Sequence, residues 1–257
     1  MPVTPFQAAV LRALAPDRSP DSYVAGGIAL NAHEAVRWSA DMNVFHDAED
    51  AVIRSSEGDL GTLALAGYET RRELWTPSFR RAWVSKGAEG VKLEWCHGAA
   101  WRFFPIAADD LLGWRLHWFD AITNKALAMG SRAETRDLVD IVTYAGRCPL
   151  HAVIWAACTK DPGFGPLLLL DQMRRHSRVD LAELREMGAS LDAPALKIRW
   201  IDLASTAEGE LTRAGTLGVE VGLAFVHENG SVGWFDEPGV VARCATLGGA
   251  TPRIAPT

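Results

Sequence analysis

Two adjacent glycines, Gly26-Gly27, precede the run Asp41-Met42-Asn43-Val44-Phe45, in which oxygen-bearing side chains alternate with an apolar one. On an extended chain, alternate side chains stand together on one face. A D-x-D pair placed this way grips one or two Mg2+ ions through hard oxygen ligands. Adjacent glycines carry no Cβ, so the backbone there can approach a ligand closely. Farther along, Val91, Leu93 and Trp95 alternate with Lys92 and Glu94, so Glu94 projects opposite the apolar positions and offers another carboxylate. Phosphoryl-type transfer needs positioning and charge neutralisation more than covalent help. It calls for divalent metal held by close carboxylates, with amides or a lysine on the triphosphate.

The elements that must hold these residues are readable from pattern. Thr4 followed by Pro5 predicts a helix start, with Phe6, Val10, Leu11 and Leu14 on its apolar face. Tyr23-Val24-Ala25 runs into the glycines, and residues 28–33 predict the first turns of another helix. A strand is predicted over 41–45, with Met42 and Val44 on one face and Asp41, Asn43 and Phe45 on the other. Short helices are predicted over 49–56 and 60–66, and then an antiparallel meander over 68–75, 79–85 and 91–96. The helix over 119–129 buries Phe119, Ile122, Ala126 and Met129 and leaves Lys125 on the flank of that stripe. The next, over 134–145, buries Leu138, Ile141, Val142 and Ala145 and puts Asp137 and Asp140 on a neighbouring face. Beyond Gly146 the pattern turns helical. Asp180 and Glu183 are spaced like a capping box for a short helix ending near Gly188. Asn229-Gly230 between two strand-like runs predicts a hairpin, and the tail after Gly248 is expected to be loose.

A chain of 257 residues with 48% hydrophobic content supports a full buried core. Its net charge of −6 excludes a broad basic footprint for nucleic acid, so any such contact is local. Arg71, Arg72, Arg80 and Arg81 are the best candidate for a basic patch, and a solvated face is their other reading. The four cysteines form no C-x-x-C pair and are read as reduced thiols; Cys148 and His151 could share a helix face, but there is no second pair of ligands. No basic segment followed by an apolar one opens the chain, and no apolar run approaches the roughly 18 residues that cross a bilayer, so the cytoplasm is the expected compartment. A Rossmann site is disfavoured by the absence of G-x-G-x-x-G, and a triad hydrolase by the absence of G-x-S-x-G.

Gly26-Gly27-Ile28-Ala29-Leu30, followed by Arg37-Trp38-Ser39-Ala40-Asp41-Met42-Asn43, resembles the GG-x-A-L and R-x-S-x-D-x-D segments of the AbiEii/AbiGii-type nucleotidyltransferases. Asn124-Lys125-Ala126-Leu127-Ala128 and then Arg136-Asp137-Leu138-Val139-Asp140 are similar to that family's lysine helix and R-D-x-x-D helix. The resemblance covers roughly residues 20 to 145. It implies an α+β fold: a nucleotidyltransferase-like mixed sheet with flanking helices over 1–146, and a mostly helical appendage ending in a β-hairpin over 147–257. It also implies Mg2+ or Mn2+, a nucleoside triphosphate as substrate, and transfer of a nucleotide to an acceptor. In that family the acceptor can be a tRNA end and the protein can be the toxin of a toxin–antitoxin pair, so RNA and an antitoxin are the implied partners. The roles carried over are Gly26, Gly27, Ser39 and Lys125 for the nucleotide, and Asp41, Asn43 and Glu94 for metal. Asp41, Glu94, Lys125 and Asp137 are the catalytic set, with Asp137 orienting the acceptor or Lys125.

Asn43 stands where the family pattern has its second aspartate. An amide oxygen still ligates Mg2+, but it removes a negative charge worth about 4 kcal/mol per ion pair at about 4 Å and an effective dielectric near 20, before desolvation. Two readings follow: a transferase with a carboxylate-poorer site that recruits Asp47 or Glu94, or a degenerate member that binds a nucleotide or partner without turnover. The individual residues have structural alternatives as well. Gly26-Gly27 fits a tight turn, Asp41 fits an ion pair with Arg37, and Glu94 fits a solvent-facing strand position. Lys125 fits a helix-edge lysine with Asp137 as its salt-bridge partner, and His46 and Asp47 lie just past the predicted strand.

Overall fold

The computed structural model describes residues 3–31, 37–188 and 192–249. Thr4 caps helix α1 (Pro5–Leu14): its hydroxyl accepts from the Gln7 amide, and Gln7 Oε1 accepts in return from the Thr4 amide. A 3-10 turn (Ala15–Asp17) leads to β1 (Ser22–Ala25), α2 (Gly26–Asn31), β2 (Asp41–His46) and α3 (Glu49–Leu65). The predicted helix over 28–33 is described as far as Asn31; His33 lies outside the described residues. Next come β3 (Glu69–Trp75), β4 (Phe79–Lys86) and β5 (Glu89–His97), the predicted antiparallel meander. Past β6 (Trp101–Arg102), β7 (Ala107–Asp109) and β8 (Gly113–Arg115) complete a seven-stranded sheet of order β3-β4-β5-β2-β1-β8-β7. β2 pairs parallel with β5 and β1 parallel with β8, while the remaining pairs are antiparallel, so the sheet is mixed.

One face of the sheet is the core. Val10, Leu11 and Leu14 of α1 and Val52, Leu60 and Leu63 of α3 pack against Met42, Val44, Ala82, Val84, Leu93 and Trp95. Each large side chain buried this way contributes about 1.5–3 kcal/mol. The opposite face carries the alternating polar residues of β2 and β5, all partly exposed. At one edge lies β3, which exposes Glu69, Thr70, Arg71, Arg72, Glu73 and Leu74 and shifts register between Arg72 and Leu74.

The two helices predicted over 49–56 and 60–66 are one helix, α3. Gly58 and Gly61 lie inside it, and glycine weakens a helix by about 1 kcal/mol relative to alanine. Between them, however, the fully buried Asp59 is fixed by Arg18 and by Trp95 Nε1 at 2.6 Å, and these tertiary bonds hold the helix through both glycines.

The chain forms two compact units: Met1–Ala100 with Pro105–Ala121, and Trp101–Phe104 with Ile122–Thr257. The division falls within α4 (Trp118–Ser131), and α5 (Thr135–Tyr144) packs on α8 (Leu181–Glu186) and α9 (Ala193–Thr216). Between them α6 (Leu150–Ala157) and α7 (Pro166–Arg175) complete the helical part. Asp180 caps α8 as predicted, but Glu183 does not close the box: Thr135 Oγ1 accepts from the Asp180 amide, and Glu183 Oε2 accepts from the Thr135 amide. The hairpin forms β9 (Ala224–His227) and β10 (Val232–Gly233) around Asn229-Gly230, with Gly230 at φ +82°. A strand not foreseen, β11 (Val240–Arg243), makes it a three-stranded sheet, and β12 (Thr246–Leu247) pairs with β6. Among the described residues, no helix is long and apolar enough to cross a membrane.

Candidate functional site

In the first unit the register brings the predicted residues together. Asn43 pairs with Ala25 on one side and with Glu94 on the other, and Asp41 pairs with Lys92. Partners in register share a face, so Asp41, Asn43, Lys92 and Glu94 form one polar cluster on the side away from α1 and α3. Gly26, at φ +70°, sits against this cluster; a Cβ there would stand 3.1 Å from Asn43 Nδ2. A Cβ on Gly27 would meet Arg37 Nη2 at 2.6 Å and Ser39 Oγ at 3.1 Å. A side chain at either glycine would displace a polar neighbour. Ser39 donates to the Asp41 carbonyl at 3.2 Å, and its own carbonyl accepts from Gln7 Nε2 at 2.6 Å.

Sequence reasoning missed the cations on this face. Asp41 Oδ1 lies 3.2 Å from Lys92 Nζ, and Glu94 Oε1 lies 2.7 Å from the Arg81 guanidinium. The alternation of Lys92 with Glu94 was visible in the sequence, but the parallel pairing that sets Lys92 beside Asp41 was not. Arg81 therefore does not belong to a free basic patch, and its neighbours are paired too. Arg71 bonds Glu73, while Arg72 and Arg80 both bond Glu57, and both guanidinium groups stack on Trp75. Cys96 shares the face, and burial together with the Glu94 charge pushes its thiol up to about 12, so it stays protonated and is no nucleophile.

His46 is the last residue of β2 and faces the core, not the polar cluster. Its Nε2 lies 3.1 Å from Ser22 Oγ, which also accepts from Arg18. Burial, and then the Arg18 charge, lowers its pKa from 6.5 to about 4. Because the folded value lies below the unfolded one, the unfolded chain binds more protons between them. Stability is then full above pH 6.5 and falls as pH drops toward 4, by about 3 kcal/mol from this residue. Urea unfolding of wild type and His46→Gln across that range should show the difference between them shrinking at low pH. Parallel curves would remove His46 from the acid response.

Lys125 and Asp137 belong to the second unit and meet there. Lys125 Nζ is 2.6 Å from Asp137 Oδ1 and 3.1 Å from Asp140 Oδ2, and Arg132 Nε donates to Asp137 Oδ2 at 2.9 Å. Both aspartates are fully buried on successive turns of α5. Burial would raise the Asp137 carboxyl, but the Lys125 charge and the hydrogen bonds from Arg132 and Lys125 outweigh it and hold the group below the usual carboxylate range. Cys148, which precedes α6, is buried with its thiol pushed up, and His151 packs its ring on Trp234, so the two do not form a ligand pair. All four cysteines are free thiols.

No family model matches the chain. No curated protein matches it either. A crystal structure of a candidate nucleotidyltransferase from H. pylori superposes with a TM-score of 0.52 at 17% identity, covering 80% of this chain and 92% of that one. The chain has the nucleotidyltransferase fold. JHP933 from Helicobacter pylori gives a TM-score of 0.50 at 18% identity over 82% and 92% of the two chains. MenT4, a nucleotidyltransferase toxin from Mycobacterium tuberculosis, gives 0.47 at 13% identity over 77% and 91%.

A nucleotidyltransferase fold raises the question of whether these residues fit a divalent ion. Such ions take several oxygen ligands with net negative charge. Here the donors are an amide, Asn43, and two carboxylates that each already have a cationic partner. Among the described residues, no group of three or more His, Cys, Asp or Glu side chains is placed to hold a metal ion. The donor set does not fit a tightly held Mg2+ or Mn2+.

Proposed function

We propose that the protein binds a nucleoside triphosphate on the face formed by Asp41, Asn43 and Glu94, and that it is a nucleotidyltransferase whose transfer step is weakened by Asn43. The observation that carries this reading is the placing of Gly26, where a Cβ would stand 3.1 Å from Asn43 Nδ2, with Asn43 itself in register with Glu94. On this reading the Gly26-Gly27 backbone lies along the phosphates. The Ser39 hydroxyl, already oriented by Asp41, stands at the same turn. Asp41 and Glu94 align the attacking group and restrain water around it. An RNA end as acceptor, and action as a toxin opposed by an antitoxin, are proposals that rest on the sequence resemblance.

The test is incubation of wild type and Asn43→Asp with labelled nucleoside triphosphates, Mg2+ or Mn2+ and total RNA, with triphosphate binding followed separately. Wild type should bind triphosphate and transfer little or no label. Asn43→Asp should raise transfer by more than about tenfold, because the added carboxylate gives the divalent ion supplied in the assay a further anionic ligand beside the triphosphate. Full transfer by wild type would select the fully active enzyme. Absence of triphosphate binding by both proteins would remove the assignment.

A further inference from the structure

Two ion pairs lie on the polar face of the first unit. Asp41 and Glu94 contribute two negative charges, and Lys92 and Arg81, each bonded to one of them, contribute two positive charges. Asn43 lies between the pairs and adds none. Neither cation is used up by its carboxylate: Lys92 has three N–H donors and meets Asp41 through one contact, while Arg81 meets Glu94 Oε1 through Nε and Nη2 and retains further N–H groups. Both side chains are 35% exposed, so those donors reach solvent on the same face as the glycine turn.

We propose that Lys92 and Arg81 supply the charge neutralisation that a divalent ion otherwise gives, so that this face takes a nucleotide's triphosphate without metal. The inference rests on the reading of this face as a triphosphate site. Its physical basis is that a bare carboxylate pair repels phosphate and needs a dication between them, whereas a carboxylate already bonded to an ammonium or guanidinium does not. Lys92 carries the larger part, because it neutralises Asp41, at the glycine end of β2. Replacing Asn43 by aspartate should add a carboxylate beyond the two that Lys92 and Arg81 already meet, and return the face to metal dependence.

Equilibrium dialysis with labelled ATP, CTP, GTP and UTP, each in EDTA and in Mg2+, tests the proposal. For the triphosphate that binds, wild-type affinity in EDTA should lie within about threefold of that in Mg2+. Lys92→Gln should lose about tenfold in EDTA, Lys92→Arg should restore it, and Asn43→Asp should bind appreciably only with Mg2+. Circular dichroism checks folding of the variants. Should Lys92→Gln not fold, wild-type binding in EDTA must still weaken steeply with added NaCl. Binding by wild type only in Mg2+, or unchanged binding by folded Lys92→Gln in EDTA, overturns the inference and leaves the triphosphate site standing. Binding of no triphosphate under either condition overturns both.

Discussion

Asp59→Ala is expected to destabilise the protein by about 3–5 kcal/mol, the usual cost of removing one partner from a buried ion pair. Asp59 accepts from the Arg18 guanidinium and from Trp95 Nε1, all inside the core of the first unit. Without it, Arg18 keeps its charge below the surface with only neutral partners among its hydrogen bonds, namely the Leu14 carbonyl and the hydroxyls of Ser22 and Ser55. The Trp95 indole N–H would also lose its acceptor. Replacing the pair together, Arg18→Met with Asp59→Leu, should recover most of the loss, because no unpaired charge then remains. Urea unfolding of the three proteins decides it. A loss under about 1 kcal/mol for Asp59→Ala would show that the pair adds nothing to the core.

Lys125→Met should cost a similar amount, about 3–5 kcal/mol at pH 7, because it leaves Asp137 and Asp140 buried one turn apart without the ammonium they share. The sign with pH separates this from a packing defect. In wild type the Asp137 carboxyl is held below its ordinary value, so its stabilisation is present above pH 3.8 and is lost as pH falls through the depressed folded value. In the variant only Arg132 still opposes burial, so the carboxyl rises from its wild-type value and acidification from pH 7 toward 4 should narrow the gap between the two proteins. A gap independent of pH would mean that the lost methylene packing matters and the charge does not. Lys125→Arg keeps the charge and serves a second purpose. If, placed in the Asn43→Asp protein, it retains stability yet loses nucleotide transfer, Lys125 has a functional role beyond bracing α5.

Local chemistry was legible in the sequence. The Thr4 cap, the alternation that sends Asp41, Asn43 and Glu94 to one face, the meander and the Asn229-Gly230 hairpin all follow from residue types a few positions apart. What escaped depends on bonds between distant segments. α3 runs through two glycines because Arg18 and Trp95 hold Asp59, and Glu183 turns from its own cap to serve the Thr135 amide. The same is true of the candidate site. The candidate residues were named from motif and spacing, but the pairing of Asp41 with Lys92 needs the parallel register of β2 on β5, which no local pattern specifies. Strands of two to four residues, such as β6, β8 and β11, were missed because too few alternations exist to mark them.

The irregular outer strand β3 bears on how the protein behaves at high concentration. A flat, apolar border of unpaired amides and carbonyls would template strand addition from a second chain. Here an approaching strand would meet Glu69, Arg71, Arg72 and Glu73 and then lose step at the offset after Arg72. Straightening that offset while substituting the charges with threonine and valine should convert a self-limiting rim into a nucleus for fibre growth.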